Sequence, residues 1–363
     1  MPSAEPAPDS PGPATQLAAG PTDDLLALTP ASSRPDENGK GGGESLFTVI
    51  LAFSANLVIA VAKSIAAYLT GSASMLAEAA HSWADTGNEI FLLIAQKRSQ
   101  RGRDERHPLG YGREAFVWSM FAAFGLFTAG AVVSISHGIT ELRDPEPGSD
   151  FLIAYIVLAI SFVLEGVSFT QAFRQSRQDA RAYGRGTLDF VLNTSNTTLR
   201  AVFFEDSAAL LGLLIAGVGI VLHQLTGSPV PDAIGSIGVG VLLGVVAVIL
   251  IDRNRRFLIG EAIPPDARAL VLGFLLAQPE VERVTYLHLE FVGPSRYYLV
   301  AAVDVVGEST ETQVAYLLRK VEAAMEEQEV IEEAVLTLST PEDVAITLPV
   351  RQPQAPDVEI SPR

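Results

Sequence analysis

The chain has 363 residues, 48% of them hydrophobic, and a formal net charge of −17. It contains no cysteine, which excludes disulfides, thiolate nucleophiles and cysteine-based zinc motifs and leaves histidine and carboxylates as candidate metal ligands. A mean hydropathy of +0.29 in so acidic a chain indicates an apolar part joined to an acidic part.

Both ends of the chain have the composition of disordered tails. Residues 1–44 are rich in Pro, Gly, Ala, Ser and Asp, and residues 344–363 form a second tail. Such segments cannot bury enough apolar surface to offset the entropy lost on ordering. The first residues lack a basic segment followed by an apolar run, so we expect no secretory signal. Between the tails we predict a membrane domain over residues 45–263 and a soluble domain over residues 264–343.

Six apolar stretches, each about 20 residues long, have the length needed to cross a bilayer. They are Leu46–Leu69, Ser72–Gln96, Glu114–Ile139, Asp150–Phe173, Leu199–Leu225 and Ala233–Asp252. The basic runs KRSQRGRDER, RQSRQDARAYGR and RNRR follow the second, fourth and sixth stretches, while the opposite loops hold few basic residues. Because basic loops stay in the cytosol, the pattern predicts a multi-pass protein of the lipid bilayer, in the cell (inner) membrane, with both termini cytosolic.

The soluble domain alternates between helical and strand-like patterns in the order αββαβ. Its segments are helix Asp266–Gln278, strand Val281–Phe291, strand Arg296–Val306, helix Thr310–Glu327 and strand Val330–Ser339. This order predicts helices packed on one face of a three-stranded sheet. The fold class is therefore an α-helical membrane protein with a C-terminal cytosolic α+β domain. That domain holds 15 acidic and 5 basic residues, which disfavours nucleic acid as a partner.

The second stretch carries ionisable residues at membrane depth, where a charged group costs roughly 2.5–3.5 kcal/mol to insert. Its polar residues recur at offsets of three or four, which places them along one stripe of a helix; they are Glu78, His81, Asp85 and Asn88. His81 and Asp85 are four residues apart, so both can reach one ion. Imidazole and carboxylate are typical ligands of zinc and of harder cations. The alternative is a His–Asp hydrogen bond that only tightens helix packing.

The fourth and fifth stretches add further carboxylates. Glu205 and Asp206 are adjacent among apolar residues, and a cation, a proton or a partner must neutralise them there. Adjacent residues point about 100° apart on a helix, so the two need not serve the same ligand set. Glu165 is either a third acidic contributor or a structural group held by Ser168.

Four motifs carry a family resemblance over residues 46–343. TGSASMLAEAAHSWADTGN, HPLGYGRE, FFEDSAALLG and PDAIGSIGVG, with the αββαβ domain, resemble the cation diffusion facilitator family of metal/proton antiporters. The resemblance implies a homodimer that holds one ion near the membrane midplane with ligands from the second and fifth helices, here His81, Asp85 and Asp206. It implies export of a divalent metal, zinc by preference, from the cytosol in exchange for protons, with no prosthetic group and no enzymatic step.

One ligand position of the family is altered in this chain. Four residues before Asp206, where the family has His or Asp, stands Val202, and the adjacent Glu–Asp pair resembles one subgroup of the family. The fourth ligand is left open between Glu205, Asn88 and water. Loss of an imidazole makes the site harder, so manganese, iron and cobalt are alternatives to zinc.

The secondary sites of the family are reduced here. The loop after the second helix keeps Asp104 and His107 as a possible accessory site, but Tyr111 takes the second His position. His288 does not match the ligands of the family's soluble domain, so we expect no metal cluster there, although dimerisation through that domain is expected.

The sequence favours transport by alternating access. The carboxylates and His81 would bind the ion when the site opens inward, and protons from outside would displace it, because metal ligands must be deprotonated. Absence of GxxxxGK[ST] argues against an ATP-driven pump, and absence of HExxH against a metalloprotease. A membrane metal sensor that signals through the soluble domain without transport is the alternative function.

Overall fold

The computed structural model describes residues 46–144 and 151–348. The predicted N-terminal tail lies outside the described residues, as does most of the predicted C-terminal tail. Ile346, three residues past the predicted end of the soluble domain, donates its backbone N–H to Val284 O at 2.7 Å.

Six long helices and one short helix make up the described part of the membrane domain. They are α1 (Leu46–Thr70), α2 (Ala73–Ser99), α3 (Glu114–Arg143), α4 (Phe151–Ala182), the short α5 (Thr187–Asn193), α6 (Thr197–Thr226) and α7 (Val230–Ile259). Five of the long helices are apolar enough to cross a membrane. The sixth, α2, has 27 residues but is more polar, and it packs against α1, α3, α6 and α7. Five of the six predicted spans are therefore confirmed, and the sixth, α2, is a helix of the predicted length that packs among the others.

Two helices extend beyond the ends predicted from hydropathy. The prediction ended the fourth and sixth spans at Phe173 and Asp252, whereas α4 continues to Ala182 and α7 to Ile259. Hydropathy marks where the bilayer ends, but the backbone hydrogen bonds of a helix continue into water. Inside α3, residues Ala123–Phe127 form a π-helical turn, a local widening of the helix.

Asp232 of α7 fastens the start of α2. Its carboxylate accepts hydrogen bonds from the backbone N–H groups of Ala73, at 2.9 Å, and Ser74, at 3.3 Å, and Ser74 Oγ donates to Asp232 O at 2.7 Å. A carboxylate at a helix N-terminus satisfies N–H groups that have no partner inside the helix. The PDAIG segment thus ties the ends of α2 and α7 that lie away from the soluble domain.

The soluble domain has the predicted order αββαβ. It contains α8 (Pro265–Leu276), β1 (Val281–Gly293), β2 (Arg296–Val305), α9 (Glu311–Glu326) and β3 (Ile331–Leu338). The sheet order is β1-β2-β3, with β1 antiparallel and β3 parallel to β2. One hydrophobic cluster joins both helices to the sheet, through residues such as Val271, Met325 and Leu299, which confirms that the helices cover one face.

The HPLGYGRE motif joins the two domains. A Cβ at Gly112 would overlap the backbone at Val292 and Gly293 of β1, so only glycine allows this approach. Phe116 of α3 stacks on Phe257 of α7, with ring centroids 5.1 Å apart, and Phe257 meets Phe291 of β1 edge-on at the same distance. This junction fixes which membrane face the soluble domain lies on.

Candidate metal site

A cavity of about 80 Å³ lies inside the membrane domain between α1, α2, α4 and α6. Five carboxylates line it: Asp85, Glu89, Glu165, Glu205 and Asp206. The lining residues of α2, which are Ser82, Asp85, Glu89 and Leu92, extend from the middle of the helix toward the end that meets the soluble domain. The cavity therefore includes the middle of the polar stripe, at Asp85, and reaches from there toward the soluble domain.

His81 and Asp85 meet as the spacing on α2 predicts. His81 Nε2 lies 3.2 Å from Asp85 Oδ2, and the histidine side chain is fully buried. Asp85 lines the cavity, whereas His81 lies one helical turn behind it. The imidazole is close enough to Asp85 to share an ion with it. Both of its nitrogens are available as ligands, because neither makes a hydrogen bond within the described residues.

The adjacent pair on α6 also faces the cavity. Asp206 Oδ2 accepts a hydrogen bond from Ser168 Oγ of α4 at 2.8 Å, and both residues line the cavity with Glu205 and Val202. Ser168 therefore holds Asp206 rather than Glu165, to which the sequence had linked it. Although adjacent residues diverge on a helix, both carboxylates line this cavity.

Asn88 lies beside Glu205 but does not line the cavity. Its side chain is buried and approaches the Glu205 carboxylate, but its Nδ2 makes no hydrogen bond of normal geometry among the described residues. Glu165, from α4, lines the opposite wall. The structure thus places Glu165 on the cavity, whereas Asn88 does not line it and contacts it only through Glu205.

Glu89 was missed by the sequence reading, although a signal for it was present. It stands one turn after Asp85 and extends the polar stripe by one further acid. Asn56 Nδ2 of α1 donates to Glu89 Oε1 at 2.5 Å, while Glu89 Oε2 has no partner among the described residues. Both residues line the cavity on its soluble-domain side.

Lys63 was also missed, and a lysine inside an apolar span is itself a signal. Its Nζ lies 3.0 Å from Glu78 Oε2, and both side chains are fully buried. Glu78, which the sequence assigned to the polar stripe without a role, is therefore the partner of an α1 cation, away from the cavity.

The described residues that line the cavity supply many carboxylate oxygens and include no basic side chain. Five carboxylates around one small cavity cannot all stay ionised without cations or protons to neutralise them. In the part of the chain that is described, no three His, Asp or Glu side chains converge closely enough to hold an ion. A bound dication would draw Asp85, Asp206 and Glu205 together from two helices, with His81 as the available nitrogen donor.

The loop between α2 and α3 holds Asp104 and His107 in an arrangement of its own. Tyr111 OH donates to Asp104 Oδ2 at 2.6 Å, and His107 Nδ1 lies 3.4 Å from Asp104 Oδ1. The tyrosine hydrogen bond lowers the pKa of the Asp104 carboxyl to about 2. Tyr111 thus takes the place of a second ligand, and hydrogen bonding within the loop occupies both oxygens of Asp104.

Comparison with known proteins also indicates a metal cation transporter. Residues 49–259, more than half of the chain, match the family described as the cation efflux transmembrane domain. The proton-coupled zinc antiporter SLC30A9, mitochondrial, of Xenopus laevis is 37% identical over 268 residues, 74% of this chain and 47% of that protein. The human protein of that name is 34% identical over the same shares.

A plant relative matches to a similar extent. Metal tolerance protein C4 of Arabidopsis thaliana is 36% identical over 241 residues, 66% of this chain and 53% of its own length. The chain thus spans about half the length of these curated relatives. Because the matched transmembrane region covers more than half of the chain, and five apolar helices and a C-terminal α+β domain accompany it, the chain belongs to the cation diffusion facilitators, the cation efflux family of transporters.

Proposed function

We propose that this protein moves a divalent metal ion across its membrane in exchange for protons, and that zinc is the ion. The observation that carries the proposal is the buried cavity where Asp85 of α2 and the Glu205–Asp206 pair of α6 meet, with His81 against Asp85. Charges at membrane depth are costly and mark ion pathways. The relatives named as proton-coupled zinc antiporters support both the metal and the counter-ion.

The proposed ligands are His81, Asp85, Glu205 and Asp206. The imidazole favours zinc among divalent ions. Because the other three proposed ligands are hard carboxylate oxygens, manganese, iron and cobalt are alternatives within the same mechanism. Val202 lines the cavity without an atom that can ligate, which supports Glu205 as the fourth ligand over Asn88. Asp104 and His107 are not proposed as ligands, since Tyr111 and backbone N–H groups already bind Asp104.

The mechanism follows from competition at shared groups. A carboxylate must give up its proton before it binds a metal, so metal and protons displace one another at Asp85, Glu205 and Asp206. The cavity reaches from the middle of the bundle toward the soluble domain, and we propose that this is the cytosolic side because the basic loops lie there. Metal would enter from the cytosol, and protons arriving from the opposite face would release it.

Assembly and location are part of the proposal. The soluble domain, with its helices on one face of the sheet, leaves the other face available for a second copy, which supports a homodimer. We propose that both termini lie on the cytosolic side, in the cell (inner) membrane, because the basic loops of the sequence lie on that side. No prosthetic group and no enzymatic activity are proposed.

Reconstitution tests the function directly. Purified protein in sealed proteoliposomes with a pH difference should transport zinc, and a panel of manganese, iron and cobalt ions should rank below it. Zinc uptake should move protons the other way, recorded by an internal pH dye. Zinc binding without flux of any of the four metals would instead favour a membrane metal sensor.

A further inference from the structure

Lys63 of α1 and Glu78 of α2 form an ion pair inside the membrane domain that the transport chemistry above does not use. Lys63 Nζ lies 3.0 Å from Glu78 Oε2, and neither side chain is exposed. Two opposite charges buried together are costly to desolvate, and an apolar pair of the same size is often at least as stable. Stability alone therefore does not account for these residues.

The pair lies beyond the cavity on the side away from the soluble domain. The lining residues of α2 are Ser82, Asp85, Glu89 and Leu92, and Glu78 precedes Asp85 by seven residues, roughly 10 Å along the helix. On α1 the lining residues Asn56 and Ile59 likewise come before Lys63 on the path from the soluble domain. An ion in the cavity would have to pass Lys63 and Glu78 to reach the opposite face.

The described residues pack around the pair closely enough that neither side chain is exposed to solvent. A Cβ at Gly212 of α6 would overlap Glu78 Oε1, so the α6 backbone lies directly on the carboxylate. One layer further out, Ser74 and Asp232 bind each other and tie α2 to α7. Three helices, α1, α2 and α6, therefore close on one another at the level of the pair.

We propose that the Lys63–Glu78 pair is the closure of the metal cavity on the face opposite the soluble domain, and that the two side chains separate when the site opens to that face. The proposal rests on the transport function proposed above. An ion pair is suited to such a closure because, when the site opens to the opposite face, water solvates both charged groups and stabilises the open state. The closed state then needs no apolar contact that would resist opening.

Cysteine labelling tests the closure, because the natural chain contains no cysteine. Ile59→Cys places a thiol on the cavity wall, and a membrane-impermeant maleimide is added to sealed vesicles from either face. Labelling from the soluble-domain face should be at least tenfold faster than from the opposite face. Thr226→Cys on the exposed end of α6 and Glu327→Cys in the soluble domain report vesicle sealing and orientation.

Charge reversal then examines the pair itself. In the Ile59→Cys background, Lys63→Glu should raise labelling from the opposite face at least tenfold, because two carboxylates repel each other. The double change Lys63→Glu with Glu78→Lys should restore the one-sided labelling. Fast labelling of Ile59→Cys alone from the opposite face would overturn the proposal, as would unchanged sidedness in Lys63→Glu or a failure of the double change to restore it.

A second variant guards against loss of folding. Lys63→Met with Glu78→Met removes both charges at similar volume, so it should stay folded, bind zinc and lose at least tenfold in zinc flux because an apolar closure does not open. Wild-type flux in this variant would overturn the proposal. Ser236→Ala, which removes a buried hydrogen bond between α7 and Ser134 O, is the control for mild destabilisation. Labelling needs no metal, so absence of zinc flux in the wild type would count against the transport function while leaving the sidedness result intact.

Discussion

Val202 and Asp206 lie one turn apart on α6 and line the same cavity, yet only Asp206 can ligate an ion. Ser168 Oγ holds the Asp206 carboxylate at 2.8 Å, whereas Val202 contributes methyl groups where the family has a ligand. Glu205, adjacent to Asp206 and on the same cavity wall, is the group that can make up for Val202.

Glu205→Gln should weaken zinc binding by at least tenfold, because an amide keeps the shape of the carboxylate but loses its charge. Adding Val202→Asp should recover most of the affinity, since it returns a carboxylate to the cavity wall one turn from Asp206. Zinc titration of detergent-solubilised protein by calorimetry measures both. Wild-type affinity in Glu205→Gln would assign Glu205 a structural role and leave His81, Asp85 and Asp206 as the protein ligands.

Loss of either central aspartate should abolish transport. Asp85→Ala and Asp206→Ala each remove a cavity carboxylate from one of the two ligand-bearing helices, and we expect zinc flux to fall at least a hundredfold while the protein still elutes as folded material. Flux into proteoliposomes and size-exclusion chromatography measure the two properties. Glu308→Ala, an exposed loop position in the soluble domain, is the matched control and should transport normally.

The metal preference should depend on His81. His81→Asp exchanges a nitrogen ligand for a hard oxygen ligand, so the ratio of zinc to manganese transport should fall. Competition by manganese against radioactive zinc uptake gives this ratio. His137→Asp, near the outer end of α3, should leave it unchanged. An unaltered ratio in His81→Asp would mean that the imidazole only bonds to Asp85.

Two glycines of α6 should respond in opposite ways to alanine. At Gly212 the added Cβ meets Glu78 Oε1, while at Gly217 it meets no other described part of the chain within 4 Å. Gly212→Ala should therefore destabilise the membrane domain by about 1–3 kcal/mol through overpacking. Gly217→Ala should be neutral or slightly stabilising because alanine favours the helix. Melting temperatures in detergent compare the two, and equal temperatures would show that the Glu78 carboxylate or α6 moves aside without cost.

The junction between the domains should weaken in acid. Burial acts to raise the pKa of Glu332, but hydrogen bonds from Arg103 and Arg296 outweigh it and the pKa lies below its ordinary value of 4.5. A lowered carboxyl pKa contributes stability above the pKa of the unfolded state, and this is lost as pH falls through the folded-state value. Glu332→Gln should thus lower the melting temperature at pH 7 but have little effect near pH 3.

Glu327→Gln, at an exposed position of the same domain, is the control for that experiment and should match the wild type at both pH values. An equal loss in Glu332→Gln at pH 7 and pH 3 would show that the side chain acts through packing rather than through its two ion pairs.

The sequence by itself determined the features that depend on neighbouring residues along the chain. Hydropathy gave the six spans and their orientation relative to one another, and the spacing of His81 and Asp85 on one helix placed them in contact. Alternation of apolar residues gave the strands of the soluble domain to within two residues. These properties repeat with the period of a helix or strand, so they can be read without knowing what packs against them.

Only the tertiary structure decided which charges meet. In the tertiary structure, Glu89 and Glu165 line the cavity from two helices, and Lys63 pairs with Glu78. Asp104 accepts a hydrogen bond from Tyr111. Each of these depends on how far one helix is rotated or displaced against another, which close contacts such as that of Gly212 on Glu78 fix. The energy of a buried charge depends on such neighbours in space rather than in sequence, and for that reason the partners of these groups could not be predicted from spacing.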